Sequence, residues 1–206
     1  MDEIKVLIAD DHAIVRMGLV ALLESDEAIR VVGEAEDGGI AVRKAIKLKP
    51  SIVIMDILMP EMDGIDATRQ IKEKLPETKV LILTTSTVSD DLARVLEAGA
   101  DGIVTKSTAN TKLLAAIHAV ASGKRVVPPK IAELIANDPP AKPLTDRQLN
   151  ILDSITRGLS NADIAKQLCI RVDSVREHLD AIYTKLNAAN RSEAIGIALR
   201  KHLLKI

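Results

Sequence analysis

Aromatic side chains are almost absent from this chain, which has no Trp, no Phe and a single Tyr, Tyr183. Nucleic-acid binding by base stacking needs several rings, so the sequence excludes that mode of recognition. Any contact with DNA or RNA must use grooves and phosphates instead. The cores must be built from Ile, Leu, Val, Ala and Met, and hydrophobic residues make up 47% of the chain.

Cysteine and long apolar runs are also scarce. The single cysteine, Cys169, excludes an intramolecular disulfide and is typical of a reducing compartment. No apolar run approaches the roughly 18 residues that a membrane span requires. The start, Met1-Asp2-Glu3, is acidic and unlike a signal peptide. The sequence therefore predicts a cytoplasmic protein with no membrane partner.

Charge is divided unevenly along the 206 residues, although the net charge is only -1. Residues 1–124 carry 15 Lys and Arg against 20 Asp and Glu, a net of -5, whereas residues 143–206 carry 10 against 7, a net of +3. An acidic first part suits a metal ion or a cationic surface, and a basic second part suits a polyanion such as nucleic acid. On charge alone, a chance asymmetry between two ordinary domains remains an open alternative.

Short apolar runs alternate with helical spacing up to Gly123. The runs are nearly continuous, as in strands that are buried on both faces of a parallel sheet. Between them, spacing such as that of Ile14, Met17, Gly18, Ala21 and Leu22 predicts helices. Strict alternation of five strands and five helices predicts a doubly wound α/β sheet. The predicted strands are Lys5–Ala9, Ile29–Gly33, Ile52–Met55, Val80–Leu83 and Gly102–Val104.

The pattern changes after Gly123. Residues 125–143 contain five prolines, which disfavour a continuous helix, so we expect a linker with a short helix over Lys130–Ala136. The remainder has only helical spacing and predicts a small all-α domain of four helices, two of them arranged as a helix-turn-helix. The four are predicted to start after Thr145 and end near Arg157, to run from Ser160 through Leu168, to run from about Asp173 to Leu186, and to start near Ser192. The predicted domains are therefore 1–124, a linker over 125–143, and 144–206.

Polar side chains follow four of the predicted strands. Asp10 and Asp11 come after the first strand, Asp56 after the third, Thr84 ends the fourth and Lys106 follows the fifth. The carboxyl ends of parallel strands meet at one edge of a sheet, so these side chains should gather there. Clustered carboxylates repel one another unless a cation is present, and hard oxygen ligands suit Mg²⁺.

This predicted cluster has a definite chemistry. Asp56 could attack phosphorus as a nucleophile and form an acyl phosphate, while Thr84 and Lys106 hold the phosphoryl oxygens. Taken singly, an Asp after a strand is usually a turn residue or a helix cap, and a lone Lys is usually a solvated surface residue. The combination at four strand ends favours a site.

Residues 1–124 resemble a response-regulator receiver domain at these positions. The matching stretches are Ile8-Ala9-Asp10-Asp11-His12, Met55-Asp56-Ile57-Leu58-Met59-Pro60, Met62-Asp63-Gly64, Leu83-Thr84-Thr85, and Lys106. The resemblance implies a flavodoxin-like fold, with Asp56 as the phosphoacceptor and catalytic roles for Thr84 and Lys106. It also implies that Asp11, Asp56 and the backbone carbonyl of Leu58 ligate Mg²⁺, with Asp10 assisting through water.

One position departs from the receiver pattern. Receivers usually carry Tyr or Phe three residues before the lysine, and its rotamer follows the phosphorylation state. Ile103 stands there in this chain. We therefore expect the switch from Thr84 to Ile103 to work without an aromatic rotamer change.

Residues 144–204 resemble the LuxR/NarL-type DNA-binding domain. The matching strings are Leu144-Thr145-x-Arg147, Gly158-Leu159-Ser160-Asn161 with Ile164-Ala165, Ser174-Val175-Arg176-x-His178, and Lys185-Leu186. In the third predicted helix, Val175, Leu179, Ile182 and Leu186 form one apolar stripe with the spacing of a buried face. Taken alone, the opposite face could equally be the solvated side of a small bundle. The resemblance implies groove contacts by Arg176, Glu177 and Asp180 and phosphate contacts by Asn161 and Lys185. Arg171 and Arg191 flank the same region.

The combined prediction is a NarL/FixJ-type transcriptional regulator. A histidine kinase or a small phosphodonor would phosphorylate Asp56. Phosphorylation would loosen the receiver from the DNA-binding domain or pair two receivers, and the homodimer would bind an inverted or direct repeat in double-stranded DNA. The groove positions Glu177 and Asp180 are acidic, so non-specific DNA affinity should be low. One alternative is a Mg²⁺-dependent phosphatase with an Asp nucleophile, but such enzymes carry a second acid at the position of Leu58. The other alternative is a DNA-binding or interaction module that works without phosphorylation, which the full set of receiver residues disfavours.

Overall fold

The chain divides into two compact units, Met1–Asp138 and Pro139–Ile206. The computed structural model describes residues 3–204. Met1 and Asp2, which entered the signal-peptide prediction, lie outside the described residues, as does the end of the predicted second domain at 205–206.

The first unit alternates strands and helices. Within its described residues it contains five strands and six helices. In chain order they are β1 (Ile4–Ala9), α1 (Ala13–Leu23), β2 (Ile29–Ala35), α2 (Gly38–Leu48), β3 (Ile52–Met55), α3 (Gly64–Lys74), β4 (Lys79–Thr84), α4 (Ser89–Glu97), β5 (Gly102–Thr105), α5 (Asn110–Ala121) and α6 (Pro129–Asn137).

The strands form one parallel sheet in the order β2-β1-β3-β4-β5. Helices cover both faces of the sheet. The apolar residues of the sheet are therefore divided between two separate hydrophobic cores. The predicted doubly wound, flavodoxin-like fold is confirmed. The strand order reverses between β1 and β3, which is where this class of sheet places its crevice.

Burial follows the predicted pattern in the central strands. All four residues of β3 and five of the six in β4 are buried. The edge strand β2 is only partly buried. Helix α1 is present where the spacing predicted it. Ile14 and Met17 of that spacing are 85% and 70% exposed, whereas Leu19 and Leu23 are buried, so its apolar residues do not all lie on the buried face.

The segment predicted as a linker is shared between the two units. Val126 makes an isolated parallel bridge to Gly102 of β5, and α6 follows within the first unit. Ile131 of α6 is buried in one of the two hydrophobic cores of the first unit. The chain leaves this unit only after Asp138.

The second unit consists of helices. Its described residues form α7 (Asp146–Thr156), α8 (Asn161–Gln167), α9 (Val172–Leu186) and α10 (Arg191–Arg200) around their own hydrophobic core. Capping boxes begin α7 at Thr145 and α8 at Ser160, which confirms both predicted starts. No helix in residues 3–204 combines the length and the apolar character needed to cross a membrane.

Candidate functional site

The fold brings the acidic strand ends together. Asp10 and Asp11 follow β1, and Asp56 follows β3, on the two strands that flank the reversal in strand order. The backbone N–H of Asp56 donates to the carbonyl of Ala9 at 2.8 Å, so the hydrogen bonding of β1 and β3 continues to this point. Asp10 and Asp56 are only 2% and 5% exposed. Backbone pairing of β1 and β3 therefore places Asp10 and Asp56 side by side at the same edge of the sheet.

Lys106 connects the two buried carboxylates. Its Nζ lies 2.6 Å from Oδ2 of Asp56 and 2.7 Å from Oδ2 of Asp10. Its position is set by the loop after β5, where the Lys106 N–H donates to the carbonyl of Thr84 at 2.9 Å. A partly buried ammonium thus meets two carboxylates that would otherwise repel each other.

Asp11 and His12 complete the cluster on its exposed side. Ligand atoms of Asp10, Asp11, His12 and Asp56 all lie within 4.8 Å of one another. Nδ1 of His12 lies 2.6 Å from Oδ1 of Asp11. Three carboxylates at this spacing offer the hard oxygen donors that Mg²⁺ prefers, so the donor set could hold a divalent cation.

Burial shapes the ionisation of the pair. Desolvation raises the pKa of Asp56 above its usual range, against the opposing effect of Lys106. Burial lowers the pKa of Lys106, but the hydrogen bonds and charges of Asp10 and Asp56 together outweigh it and leave that pKa raised. The lysine therefore stays cationic beside the crevice. A cation facing buried carboxylates is an arrangement that can receive an anionic phosphoryl group.

The loop after β3 holds Asp56 through its backbone. Oδ1 of Asp56 accepts from the N–H of Ile57 at 2.7 Å, and the N–H of Gly64 donates to the carbonyl of Ile57 at 2.8 Å. A Cβ at Gly64 would overlap the carbonyl oxygen of Asp56, so only glycine fits. Asp63 caps α3 by accepting from Asp66 at 2.8 Å. Leu58, whose carbonyl is the predicted fourth ligand, lies in this loop with an exposed side chain.

Thr84 is fully buried at the end of β4. Its hydroxyl accepts from the N–H of Ser86 at 3.0 Å, which fixes the first turn of the loop leading to α4. Ile103, the predicted switch position, is also fully buried in the same core as Leu92 and Val95 of α4. Neither residue meets solvent in this state, so a shift of one must be absorbed by packed neighbours.

Sequence reasoning missed Arg16. Its Nη1 donates to the backbone carbonyl of Asp10 at 2.7 Å, and its Nε lies 3.3 Å from Oε2 of Glu34 on β2. The guanidinium therefore holds the turn that carries both aspartates. The signal in the sequence was that Arg16 is the only charged residue in an otherwise apolar helix. His12, which contacts Asp11, was recognised only as part of a motif and not as a residue of the site.

The second unit presents a helix face of mixed charge. The stripe Val175, Leu179, Ile182 and Leu186 of α9 is buried, as predicted. Arg176, Glu177 and Asp180 are exposed on the opposite side, so the structure places the three predicted groove residues on one face. Nη1 of Arg176 lies 2.9 Å from Oδ1 of Asp173, an exposed ion pair within the helix.

The predicted phosphate contacts lie apart from that face. Lys185, near the end of α9, donates through Nζ to the carbonyl of Pro143 and to Oε1 of Gln148, both at 2.8 Å. Asn161 begins α8, and its Oδ1 accepts from Arg191 at 3.4 Å. Both predicted residues are thus engaged within the domain. Arg171, in contrast, is exposed at the start of α9.

Comparison with known proteins agrees with both halves of the chain. The family model "Response regulator receiver domain" matches residues 6–118, and "Bacterial regulatory proteins, luxR family" matches residues 142–198. The transcriptional regulatory protein LiaR of Bacillus subtilis is 38% identical, with 98% of this chain and 99% of LiaR covered. The response regulator protein VraR of Staphylococcus aureus is 36% identical with the same coverage.

Solved structures show the same architecture. The response regulator ChrA of a heme-sensing two-component system has a TM-score of 0.59 at 35% identity, covering 99% of this chain and 100% of ChrA. A structure described as two RcsB dimers bound to two parallel DNAs has a TM-score of 0.66 at 29% identity, covering 97% and 99%. The name of LiaR as a transcriptional regulatory protein and the DNA in the RcsB structure confirm the predicted regulator over the phosphatase alternative. The chain belongs to the response regulators that join a receiver domain to a LuxR-type DNA-binding domain.

Proposed function

We propose that phosphorylation of Asp56 controls DNA binding by this regulator. The observation that carries the proposal is the contact of Lys106 Nζ with Asp56 Oδ2, at 2.6 Å, in a crevice where Asp10 is also buried. An ammonium fixed beside a buried carboxylate is placed to receive the charge of a phosphoryl group on that carboxylate.

The chain's own residues each have a part in the transfer. Oδ2 of Asp56 is held by Lys106 and Oδ1 by the N–H of Ile57. As one of these oxygens bonds to phosphorus, the bond between phosphorus and the donor's leaving group breaks and the leaving group departs with that electron pair. If Oδ2 attacks, it gives up its contact with Lys106. Lys106 then pairs with a phosphoryl oxygen. The Thr84 hydroxyl can turn from Ser86 to donate to another phosphoryl oxygen.

Asp10, Asp11 and Asp56, with the carbonyl of Leu58, are the residues that would hold Mg²⁺. The first three lie within one group of closely spaced ligand atoms, which supports this assignment. Bound there, the ion would neutralise the carboxylates and the incoming phosphoryl group. Arg16 would keep the carbonyl end of Asp10 in place while this happens.

The receiver family implies a histidine kinase as partner, and a small phosphodonor could act on the same carboxylate. A regulator that binds the bacterial chromosome works in the cytoplasm, which is the location we propose. The groove contacts would come from Arg176, Glu177 and Asp180, and phosphate contacts from Asn161 and Lys185. A homodimer on activation is supported by the RcsB structure, whose description names dimers bound to DNA.

Labelling with acetyl phosphate and Mg²⁺ tests the proposal. Wild type should gain one phosphoryl group that is lost in base, and Asp56→Asn should gain none. Asp66→Asn is the matched control, because Asp66 is a partly exposed residue of α3 that pairs with Arg69 outside the crevice. It should label like wild type. Equal labelling of Asp56→Asn would refute the assignment of the phosphoacceptor.

A further inference from the structure

The helix that follows the receiver is fastened to it at both ends. At its beginning, the carbonyl of Val126 accepts from the N–H of Ile103 at 2.8 Å, and the N–H of Val126 donates to Asp101 at 3.1 Å. At its end, Oδ2 of Asp138 accepts from the hydroxyl of Ser89, the first residue of α4, at 2.6 Å. The segment 126–138 thus spans from the switch position to the start of α4.

Apolar packing holds the segment between these two ends. Ile131 is buried in the core that also contains Leu92 and Val95 of α4, and Leu134 and Ile135 pack against the same core. Helix α6 has only nine residues, too few for an isolated helix to be stable in water. Its helical state therefore depends on its contacts with the receiver.

Hydrogen bonds, with one step along the backbone from Val88 to Ser89, connect the Thr84 hydroxyl to the contact between α4 and α6. The N–H of Ser86 donates to Thr84 Oγ1 at 3.0 Å. The hydroxyl of Ser86 donates to Asp91 Oδ2 at 3.0 Å and accepts from the N–H of Val88 at 3.2 Å. Ser89 follows directly and bonds to Asp138. Each side chain on this path is buried within the first unit, except that of Asp138 at the surface.

We propose that α6 is the element that responds to phosphorylation in this chain, and that the path Thr84–Ser86–Ser89–Asp138 carries the response. If the Thr84 side chain turns so that its hydroxyl reaches a phosphoryl oxygen, Oγ1 moves away from the buried N–H of Ser86, which then loses its acceptor. A buried donor without a partner is costly, so the loop before α4 must rearrange. The rearrangement moves Ser89, the bond to Asp138 breaks, and α6 leaves its place on α4.

This arrangement gives Ile103 a role that needs no aromatic ring. Its backbone N–H holds Val126, and its side chain shares the core that receives Ile131. Releasing α6 would return segment 127–138 to the connection between the two units. The inference rests on the proposed phosphorylation of Asp56, because the signal starts with a phosphoryl group at that residue.

Hydrogen–deuterium exchange of the full chain tests the inference. Peptides covering α6 are compared with and without beryllofluoride and Mg²⁺, and fluorine NMR reports separately whether beryllofluoride occupies Asp56. Wild type should exchange about tenfold faster over α6 when beryllofluoride is bound, since losing a hydrogen bond to a charged group is worth about that factor. Thr84→Ser should keep the difference, because it keeps the hydroxyl, whereas Thr84→Ala should abolish it.

Variants of the docking contact give a second measurement that needs no phosphoryl group. Ser89→Ala should raise exchange over α6 in the resting state and leave the rate of labelling by acetyl phosphate unchanged, because Ser89 touches none of the site residues. Asp138→Asn keeps an acceptor for Ser89 and should stay closer to wild type than Asp138→Ala. Ser122→Ala is the control, since it removes an exposed hydroxyl that bonds only to Ala119 among the described contacts.

The outcomes separate the inference from the proposed function. If beryllofluoride occupies Asp56 and exchange over α6 does not change, the relay is wrong while the function stands. The same conclusion follows if Ser89→Ala leaves α6 as protected as in wild type. If neither beryllofluoride nor acetyl phosphate modifies Asp56, the proposed function is wrong and the relay is overturned with it.

Discussion

Arg16 donates from Nη1 to the backbone carbonyl of Asp10 at 2.7 Å, across the turn that presents both aspartates of the acidic cluster. The same guanidinium is within 3.3 Å of Glu34 on the neighbouring strand. A turn held at one end by strand pairing and at the other by this bond can keep Asp10 and Asp11 close to Asp56. Loss of a group that orients a metal ligand typically lowers metal affinity by about 10–100-fold.

Replacing Arg16 should therefore weaken metal binding, although no metal ligand is removed. Arg16→Ala should lower Mg²⁺ affinity by about tenfold. Isothermal titration calorimetry is the suitable measurement, because the chain has no Trp to report on the site. Arg30→Ala, which removes an exposed pair with Glu3, is the control. Wild-type affinity in Arg16→Ala would show that strand pairing alone positions the aspartates.

Gly64 should tolerate no side chain. In Gly64→Ala the new Cβ would overlap the carbonyl of Asp56, so the loop and the phosphoacceptor must shift together. We expect a loss of at least about 2 kcal/mol in the free energy of unfolding, measured by urea denaturation, together with slower labelling of Asp56. Gly18→Ala is a matched control in α1, where the added methyl meets nothing within 4 Å. It should be neutral or slightly stabilising.

Ile103 limits how strongly phosphorylation can act. A β-branched aliphatic side chain is stiff and has no polar tip, so it can only shift within its core. We expect beryllofluoride to raise DNA affinity on the order of tenfold, or about 1.4 kcal/mol. Ile103→Val should barely alter that gain, and Ile103→Tyr should change it, because a phenol must find room and a partner in a closed core.

DNA affinity with and without beryllofluoride is the measurement for the Ile103 variants. A thousandfold gain in wild type, with no change in Ile103→Tyr, would show that the coupling runs through other residues.

Arg176 and Lys185 should differ in what their loss does. Arg176→Ala should cost about 1–3 kcal/mol on the specific DNA site and relax its sequence preference. Lys185→Ala should weaken all sequences similarly and reduce the salt slope by about one. It should also destabilise the second unit, since its ammonium holds Pro143 and Gln148 at the start of α7. Binding assays at several salt concentrations and thermal unfolding separate the two effects. Wild-type binding by both variants would refute α9 as the recognition helix.

Asp26 should make stability depend on pH in the acid range. Its hydrogen bond with His118, at 2.7 Å, is the main reason that its pKa is lowered below the usual value of 3.8. A carboxylate with a lowered folded pKa stabilises the fold above its unfolded pKa, and that contribution disappears as pH falls through the folded value. The difference in unfolding free energy between wild type and Asp26→Asn should therefore be present at neutral pH and vanish in acid. A difference that is constant with pH would contradict this.

Local pattern was enough for the sheet, the buried face of α9 and most of the acidic crevice. Apolar runs such as Ile52–Met55 are typical of strands buried on both faces, and the stripe from Val175 to Leu186 has one buried face. Once the strands are parallel, Asp10, Asp11, Asp56 and Lys106 must meet at one edge, because their positions follow from where each strand ends.

Contacts between distant segments were decided only by the tertiary structure. The outward face of α1 depends on which residues the sheet covers, and helical spacing carries no information about that. Arg16 reaches Asp10 and Glu34 because β1 and β2 are neighbours. Segment 126–138 reads as a proline-flanked linker, yet Asp138 meets Ser89 across 49 residues of chain. Such contacts depend on packing across the sheet, which a sequence pattern of short period does not encode.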